Sequence, residues 1–299
     1  MPVITRRVSL VEADYRCYFC FARTFERLLE KHKLTVEEKK ALAIEMFSHF
    51  YNGNTGFSVP VLSRELYRLF REKSGVVDPY RRIKYESNER LIGEYASFRE
   101  KIDQSDDPFE TALRLAVAGN IIDYGVSDHH DLKETMSKVL ESPFAINDVE
   151  RLRRRLAEAR TVLYLGDNAG EIVFDKLFIE TFRHPNIWYA VRGAPVINDA
   201  TRRDAAQVKM EEVAQVIDNG YDAPSTLPEY CSPAFQQLYN DADLVISKGQ
   251  GNLEGLIDAP RGDIYFLLMV KCEVIADRLG VTKGSFVCAE NNPRKVYTG

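Results

Sequence analysis

Thr161-Val162-Leu163-Tyr164-Leu165-Gly166-Asp167-Asn168-Ala169-Gly170-Glu171 is the stretch from which the fold can be read. An apolar run stops at a glycine and a group of oxygen-bearing side chains, and Ile172, Val173, Leu177, Ile179 and Phe182 then recur at near-helical spacing. The pattern predicts a buried parallel strand feeding a helix, with Asp167 and Asn168 at the strand's carboxyl end. In α/β proteins ligands occupy the crevice beyond such strand ends, and free N–H groups at a helix start attract anions. A hard cation and a phosphate would both suit this position.

Downstream, strand-like and helical segments alternate: Thr161–Leu165, Ile187–Val191, Val213–Ile217, Leu244–Ser247 and Ile264–Val270 are the expected strands. Such alternation predicts a doubly wound, mainly parallel sheet with helices on both faces and right-handed crossovers. Upstream, from about Asp14 to Val139, the pattern is helical. Phe21, Phe25, Leu28 and Leu29 form one stripe; Leu42, Ile44, Phe47 and Phe50 form another after a Thr35-Val36-Glu37-Glu38 capping box. Val61, Leu62, Leu66, Leu69 and Phe70 make a third, and helices are also expected over Tyr85–Ile102, Phe109–Tyr124 and Val149–Arg160. The expected organisation is an all-helical bundle over 1–147, with no strand, and an α/β domain over 148–299.

A chain of 299 residues, 45% apolar, buries a large core. Its formal net charge of −5 gives no global positive field toward nucleic acid or an anionic membrane, so a bound phosphate must be met locally. No run of eighteen apolar residues occurs, and Met1-Pro2-Val3-Ile4-Thr5-Arg6-Arg7 lacks the core of a secretion signal, so a soluble, cytoplasmic protein is expected. Five cysteines without an export signal argue for reduced thiols. Cys17-Tyr18-Phe19-Cys20 reads as two half-buried cysteines on a helix, with metal or redox service as the alternative. His129-His130 reads as a surface turn.

Three expected strand ends carry polar clusters: Asp167, Asn168 and Glu171; then Arg192, Gly193, Asn198, Asp199, Thr201 and Asp204; then Lys248, Gly249, Gln250, Gly251, Asn252 and Glu254. A parallel sheet brings these ends to one edge, and convergence is what a site requires. Singly, each has another reading: Asp167-Asn168 and Asn198-Asp199 also suit helix caps, and Lys248 a solvated strand end. Together, carboxylates and an amide oxygen suit Mg²⁺, Mn²⁺ or a similar ion that shares its shell with a phosphate. Lys248, beside glycines that permit close backbone approach, and the helix N–H groups would meet the phosphoryl oxygens. A GxGxxG fingerprint, a phosphate loop, a GxSxG elbow and a DxD nucleophile motif are absent, the last favouring attack by metal-activated water.

Gly166-Asp167-Asn168-Ala169-Gly170-Glu171, Asn198-Asp199-Ala200-Thr201 and Ser247-Lys248-Gly249-Gln250-Gly251-Asn252 resemble the three signature segments of the DUF89, or damage-control phosphatase, family. Cys17-Tyr18-Phe19-Cys20, Ala118-Gly119-Asn120-Ile121-Ile122-Asp123 and Lys271-Cys272 resemble features of its compact prokaryotic branch, which carries paired cysteines. The resemblance implies a helical domain on a three-layer α/β/α domain. It also implies divalent-metal-dependent hydrolysis of small phosphate esters such as sugar phosphates, phosphopantetheine or damaged metabolites. By position, Asp167, Asn168 and Asp199 match the metal ligands, for Mn²⁺, Mg²⁺, Co²⁺ or Ni²⁺, with Asp204 as an assisting or replacing carboxylate. Lys248 matches the basic group near the phosphate. Glu171, Arg192, Gly249, Asn252 and Glu254 are expected to contact or support the substrate, and Asn88, Asn120 and Asp123 to line its cleft. The rival readings are an S-adenosylmethionine-dependent methyltransferase and a non-catalytic phosphometabolite or nucleotide sensor.

Overall fold

A computed structural model describes residues 13–52, 58–125 and 139–291, the side chains of 52 and 120–125 excepted. Asn120 and Asp123 are therefore known only as backbone of a helix, and His129 and His130 lie outside the described residues. The central feature is a seven-stranded sheet in the order β1-β7-β6-β5-β2-β3-β4. Its strands are β1 (Phe144–Asn147), β2 (Val162–Leu165), β3 (Ile187–Val191), β4 (Gln215–Asp218), β5 (Leu244–Lys248), β6 (Ile264–Met269) and β7 (Phe286–Glu290). Neighbours pair in parallel except β6 with β7, which run antiparallel.

The five expected strands are present, and two more were not anticipated. β7 is a short apolar run at a chain reversal. β1 has only four residues with Phe144 as its one buried side chain, too weak an alternation to register. Because β1 lies before residue 148 and pairs with β7, the amino-terminal half contributes to the sheet, and the expectation that it holds no strand is corrected.

Alternation along each strand sends side chains to two apolar layers. Tyr164, Tyr189, Leu244, Ile246, Tyr265 and Leu267 face one layer; Leu163, Leu165, Val245, Phe266 and Leu268 face the other. The first layer is covered by α6 (Pro108–Gly125), α7 (Val149–Glu158), α8 (Glu171–Phe182) and α9 (Arg202–Gln207); the second by α10 (Pro233–Asp241), α11 (Gly249–Leu256) and α12 (Glu273–Leu279). This is the three-layer α/β/α arrangement. Helix α8 is buried along most of its length because α6 and the helix before it cover its outer side: Phe174 and Phe178 meet Phe98 and Phe109 edge-on at 4.8 and 5.3 Å.

The remaining helices divide in two. α1 (Tyr15–Lys31), α2 (Val36–Asn52) and α3 (Val59–Ser74) enclose a separate small core of Phe25, Leu28, Leu42, Met46, Leu66 and Phe70. The capping box at α2 is formed, with Glu38 N donating to Thr35 Oγ1 at 3.2 Å and Thr35 N to Glu38 Oε2 at 2.7 Å. By contrast α4 (Arg81–Gly93), α5 (Tyr95–Asp103) and α6 place Leu91, Phe98, Ile102 and Leu113 in the core of the sheet itself. The single helix expected over Tyr85–Ile102 is thus two, parted at Glu94. Among the described residues no helix is long and apolar enough to cross a membrane.

Candidate active site

The strand order reverses between β2 and β5: from β2 the chain winds outward through β3 and β4, then returns to place β5 on the other side. Loops leaving the carboxyl ends of β2 and β5 diverge there and open a crevice, the usual ligand position in an open α/β sheet. The β2 loop holds Asp167 and Asn168, and the β5 end holds Lys248 and Gly249.

The chain beyond β2 is laid against the segment that follows β3. Ala200 N donates to Asp167 O at 2.8 Å and Ala169 N to Asn198 O at 2.9 Å, so Asn168 and Asp199 form an antiparallel bridge. Asp167 and Asn168, at the end of β2, are thereby set beside Asp199 from the segment after β3. Their side chains are nearly buried: Asp167 is 6%, Asn168 5% and Asp199 2% exposed. Asn168 Nδ2 donates to Asp167 Oδ2 at 2.9 Å and to Glu171 Oε2 at 3.3 Å. Arg192 donates through Nε to Asp199 Oδ2 at 2.6 Å and through Nη1 to Asn252 Oδ1 at 2.9 Å, while its Nη2 stands 3.7 Å from Asp167 Oδ1. Among the described residues, buried Nη2 has no hydrogen-bond partner.

Glycine is demanded at one position here. Gly249 has φ +78°, and a Cβ on it would overlap the Asp167 carboxylate, so only glycine lets that side chain lie against the start of α11. Asn252 knits the two strand ends together, donating to Lys248 O at 2.8 Å and Gly166 O at 3.1 Å.

Lys248 lies deeper. It is fully buried, and its ammonium donates to Glu171 Oε1 at 2.6 Å, Asp175 Oδ1 at 2.5 Å and Ala116 O at 2.8 Å. Asp175 also accepts from Tyr164 and Tyr189 hydroxyls at 2.8 and 2.7 Å. All three ammonium protons therefore have protein acceptors, and the structure puts Lys248 inside the sheet's first layer rather than on the crevice wall. Asp175, Tyr164 and Tyr189 were missed from sequence, yet the signal was there. Lys248 continues the alternation of Leu244 and Ile246, which points it at α8, and Asp175 stands one helical turn after Glu171 on the same helix.

Other expected residues are also tied down. Asn88 is fully buried; its Oδ1 accepts from Gly170 N at 2.6 Å, and its Nδ2 donates to Gln207 Oε1 at 2.8 Å, so it braces the β2 loop instead of lining a cleft. Asp204 accepts from Thr201 N and Oγ1 at 2.9 and 2.7 Å and from Lys84 at 3.2 Å, closing the capping box of α9. Glu254 is half-buried and accepts from Gln250 at 2.9 Å. Cys17 is half-buried on α1 and Cys20 exposed; burial pushes the Cys17 thiol up to about 11, away from a reactive thiolate.

Electrostatics set the two buried groups apart. Burial raises Asp199 to about 7 even though Arg192 opposes the shift, and the negative charge of Asp167 adds to it. Burial likewise raises Glu171 against the pull of Lys248, with Asp167 and Asp175 adding to the rise. Burial pushes Lys248 down, but Asp175 and Glu171 outweigh it and hold the ammonium protonated. Among the described residues no group of three or more His, Cys, Asp or Glu is arranged to hold a metal. A cation here would instead take two carboxylates and an amide oxygen, the hard donor set of an ion that completes its shell with water and substrate. The mutual opposition of Asp167 and Asp199 in a buried crevice is the condition such a charge would relieve, so the residues fit a divalent ion.

Comparison with known proteins agrees with this geometry. Residues 13–287 match the model of the damage-control phosphatase ARMT1-like domain. The chain is 32% identical over 292 residues to a damage-control phosphatase of Pyrococcus horikoshii, covering 94% of this chain and 99% of that one. It is 34% identical over 233 residues to a damage-control phosphatase of Archaeoglobus fulgidus, covering 76% and 80%. The crystal structure of a DUF89 family protein from Pyrococcus horikoshii superposes with a TM-score of 0.86 at 28% identity, covering 94% of this chain and 100% of that chain. With the fold, the strand-end loops and the sequence in agreement over nearly its full length, this chain belongs to the DUF89, damage-control phosphatase ARMT1-like family.

Proposed function

We propose that this protein is a divalent-metal-dependent phosphatase that hydrolyses monoesters of small phosphorylated metabolites. The observation that carries the reading is the bridge between Asn168 and Asp199, which sets two opposed carboxylates and an amide at the switch point of the sheet. Relatives named damage-control phosphatases support it.

Asp167, Asn168 and Asp199 would hold Mg²⁺, Mn²⁺, Co²⁺ or Ni²⁺. When bound, such an ion polarises a phosphoryl oxygen and makes water a better nucleophile. The chain's own residues do the rest. Arg192 has one guanidinium nitrogen without a hydrogen bond, next to Asp167, and this N–H would donate to a phosphoryl oxygen as charge builds on it. Asn252 and Thr226 hold that guanidinium in place through its other terminal nitrogen, at 2.9 and 3.2 Å. Lys248 acts at one remove: it fixes Glu171, and Glu171 accepts from the Asn168 amide nitrogen, so the orientation of that amide is set from the buried side. It is a positioning residue in this scheme. Asp199, raised toward neutrality by burial, would be ionised once a cation sits beside it.

The test is phosphate release from a panel of phosphorylated metabolites by metal-loaded protein, wild type against Asp167→Asn. Release by wild type, lost in the variant and in chelator, is expected. A wild-type protein that releases phosphate from no monoester with any of the four metals would overturn the proposal.

A further inference from the structure

Beside the site is a second cleft of about 500 Å³, between the turn that joins α3 to α4 and the carboxyl ends of β3 and β4. Four arginines and two aspartates line it: Arg81, Arg192, Arg202, Arg203, Asp78 and Asp218. The charges do not cancel. Asp78 lies 3.0 Å from Lys84, which it shares with Asp204, and Asp218 pairs with Arg202 at 2.5 Å. Arg192, 3% exposed, is the residue this cleft shares with the carboxylate pair. That leaves Arg81 and Arg203, both exposed, and among the described residues neither guanidinium has an ion-pair partner. In a chain of net charge −5, a pocket holding two uncompensated guanidinium groups next to a buried one is locally set for an anion. Val76, Val77 and Pro195 supply an apolar wall for a short carbon skeleton.

We propose that this cleft receives a second anionic group of the substrate, bound by Arg81 and Arg203, so that the preferred substrates are small metabolites bearing a further phosphate or a carboxylate besides the scissile phosphate. The inference rests on the phosphatase reading and narrows its substrate class. Arg192 lines the cleft and pairs with Asp199, so the cleft adjoins the reacting end, and Val76, Val77 and Pro195 give the carbon skeleton an apolar wall. Arg81 and Arg203 hold nothing else together, so removing them does not threaten the fold.

The experiment compares matched substrates on the metal-loaded full chain: a hexose monophosphate against the corresponding bisphosphate, and glycerol phosphate against phosphoglycerate. The first pair tests phosphate as the second anion and the second pair carboxylate. Wild type is expected to show a KM about tenfold lower for the doubly anionic member of at least one pair, the worth of one good charge-assisted contact. In Arg81→Ala/Arg203→Ala that preference disappears, while kcat and KM for the singly anionic members stay within about twofold, since only the remote contact is lost. The wild-type preference also shrinks as salt is raised, because the two arginines are exposed. No preference in wild type for either pair, or a preference that survives the double variant, overturns the inference while monophosphate turnover leaves the phosphatase reading standing. Absence of turnover on all four substrates, together with absence on the wider panel, removes that reading and the inference together.

Discussion

Two buried charge clusters lie a few residues apart at one edge of the sheet, and they are built in opposite ways. In the inner one, Lys248, Glu171 and Asp175 are fully buried, the ammonium has three acceptors, and both Asp175 oxygens are engaged. In the outer one, Asp167 and Asp199 share a single guanidinium that keeps one nitrogen without a hydrogen bond. Burial of charge is costly wherever it occurs, and hydrogen bonding decides whether the protein itself offsets that cost. The inner cluster is completed by the chain and acts as scaffold; the outer one, on the proposed reading, is where a bound cation would complete the charge balance. Residue type alone would rank Lys248 and Asp167 as equally reactive. Their surroundings separate them.

The sharpest way to break this contrast is to remove the lysine. Lys248→Met leaves two carboxylates buried without their cation, and the expected loss is about 3–5 kcal/mol of unfolding free energy. Denaturant unfolding checks it. If Lys248→Met unfolds like wild type yet loses turnover, Lys248 belongs with the reacting groups and the distinction collapses. The opposite is expected of Asp167→Asn: turnover falls at least about 100-fold, as for loss of a group that stabilises transition-state charge. Its unfolding free energy in chelator should hold or rise, by about 1 kcal/mol, because a like charge beside Asp199 has been removed. One cluster would then give up stability and the other activity.

How far the sequence carries this picture depends on the kind of signal. The central strands were readable because each is a fully buried apolar run ending in polar residues, as Val162–Leu165 shows. β1 was not, since four residues at a sheet edge with one buried side chain leave no period to count, and β7, paired on both sides, is a five-residue buried run without alternation. Convergence of Asp167, Asn168 and Asp199 followed from topology: all parallel strands end on one side. What topology could not supply was depth. Lys248 and Asn88 were expected to face a ligand, and both are closed off by partners 77 and 82 residues away in sequence, separations that no local pattern encodes. The second core formed by α1, α2 and α3 was hidden for a similar reason, because stripes predict that a helix has an inner face without saying what that face meets.

Gly249 sits where the two clusters touch, and its substitution sharpens the comparison. Gly249→Ala places a methyl group on the Asp167 carboxylate at a backbone φ of +78°. Strain of this kind costs about 1–3 kcal/mol. If the outer cluster is the reactive one, the displaced carboxylate should lower kcat by more than the stability change can account for. Thermal unfolding and kinetics on the same preparation separate the two. Equal retention of activity and stability would mean that the carboxylate's placement against α11 has no consequence.

The smallest effect tests whether completeness alone makes a scaffold. Asp222 accepts from Arg64 and Arg71, which fasten α3 to the loop after β4, but the group is only part-buried. Burial works to raise its pKa, yet Arg71 and Arg64 outweigh that and hold the carboxyl below the usual range. With the folded value depressed, its contribution is present above the unfolded value near about 3.9 and is lost as pH falls through the folded one. Solvent screens a pair this open, so the expected contribution is about 1 kcal/mol or less. Asp222→Asn should therefore cost little at neutral pH and flatten the acid limb of stability below about pH 4. A loss at neutral pH as large as that of Lys248→Met would show that the α3 anchor depends on charge completion as strongly as the buried lysine does, and that exposure does not discount it.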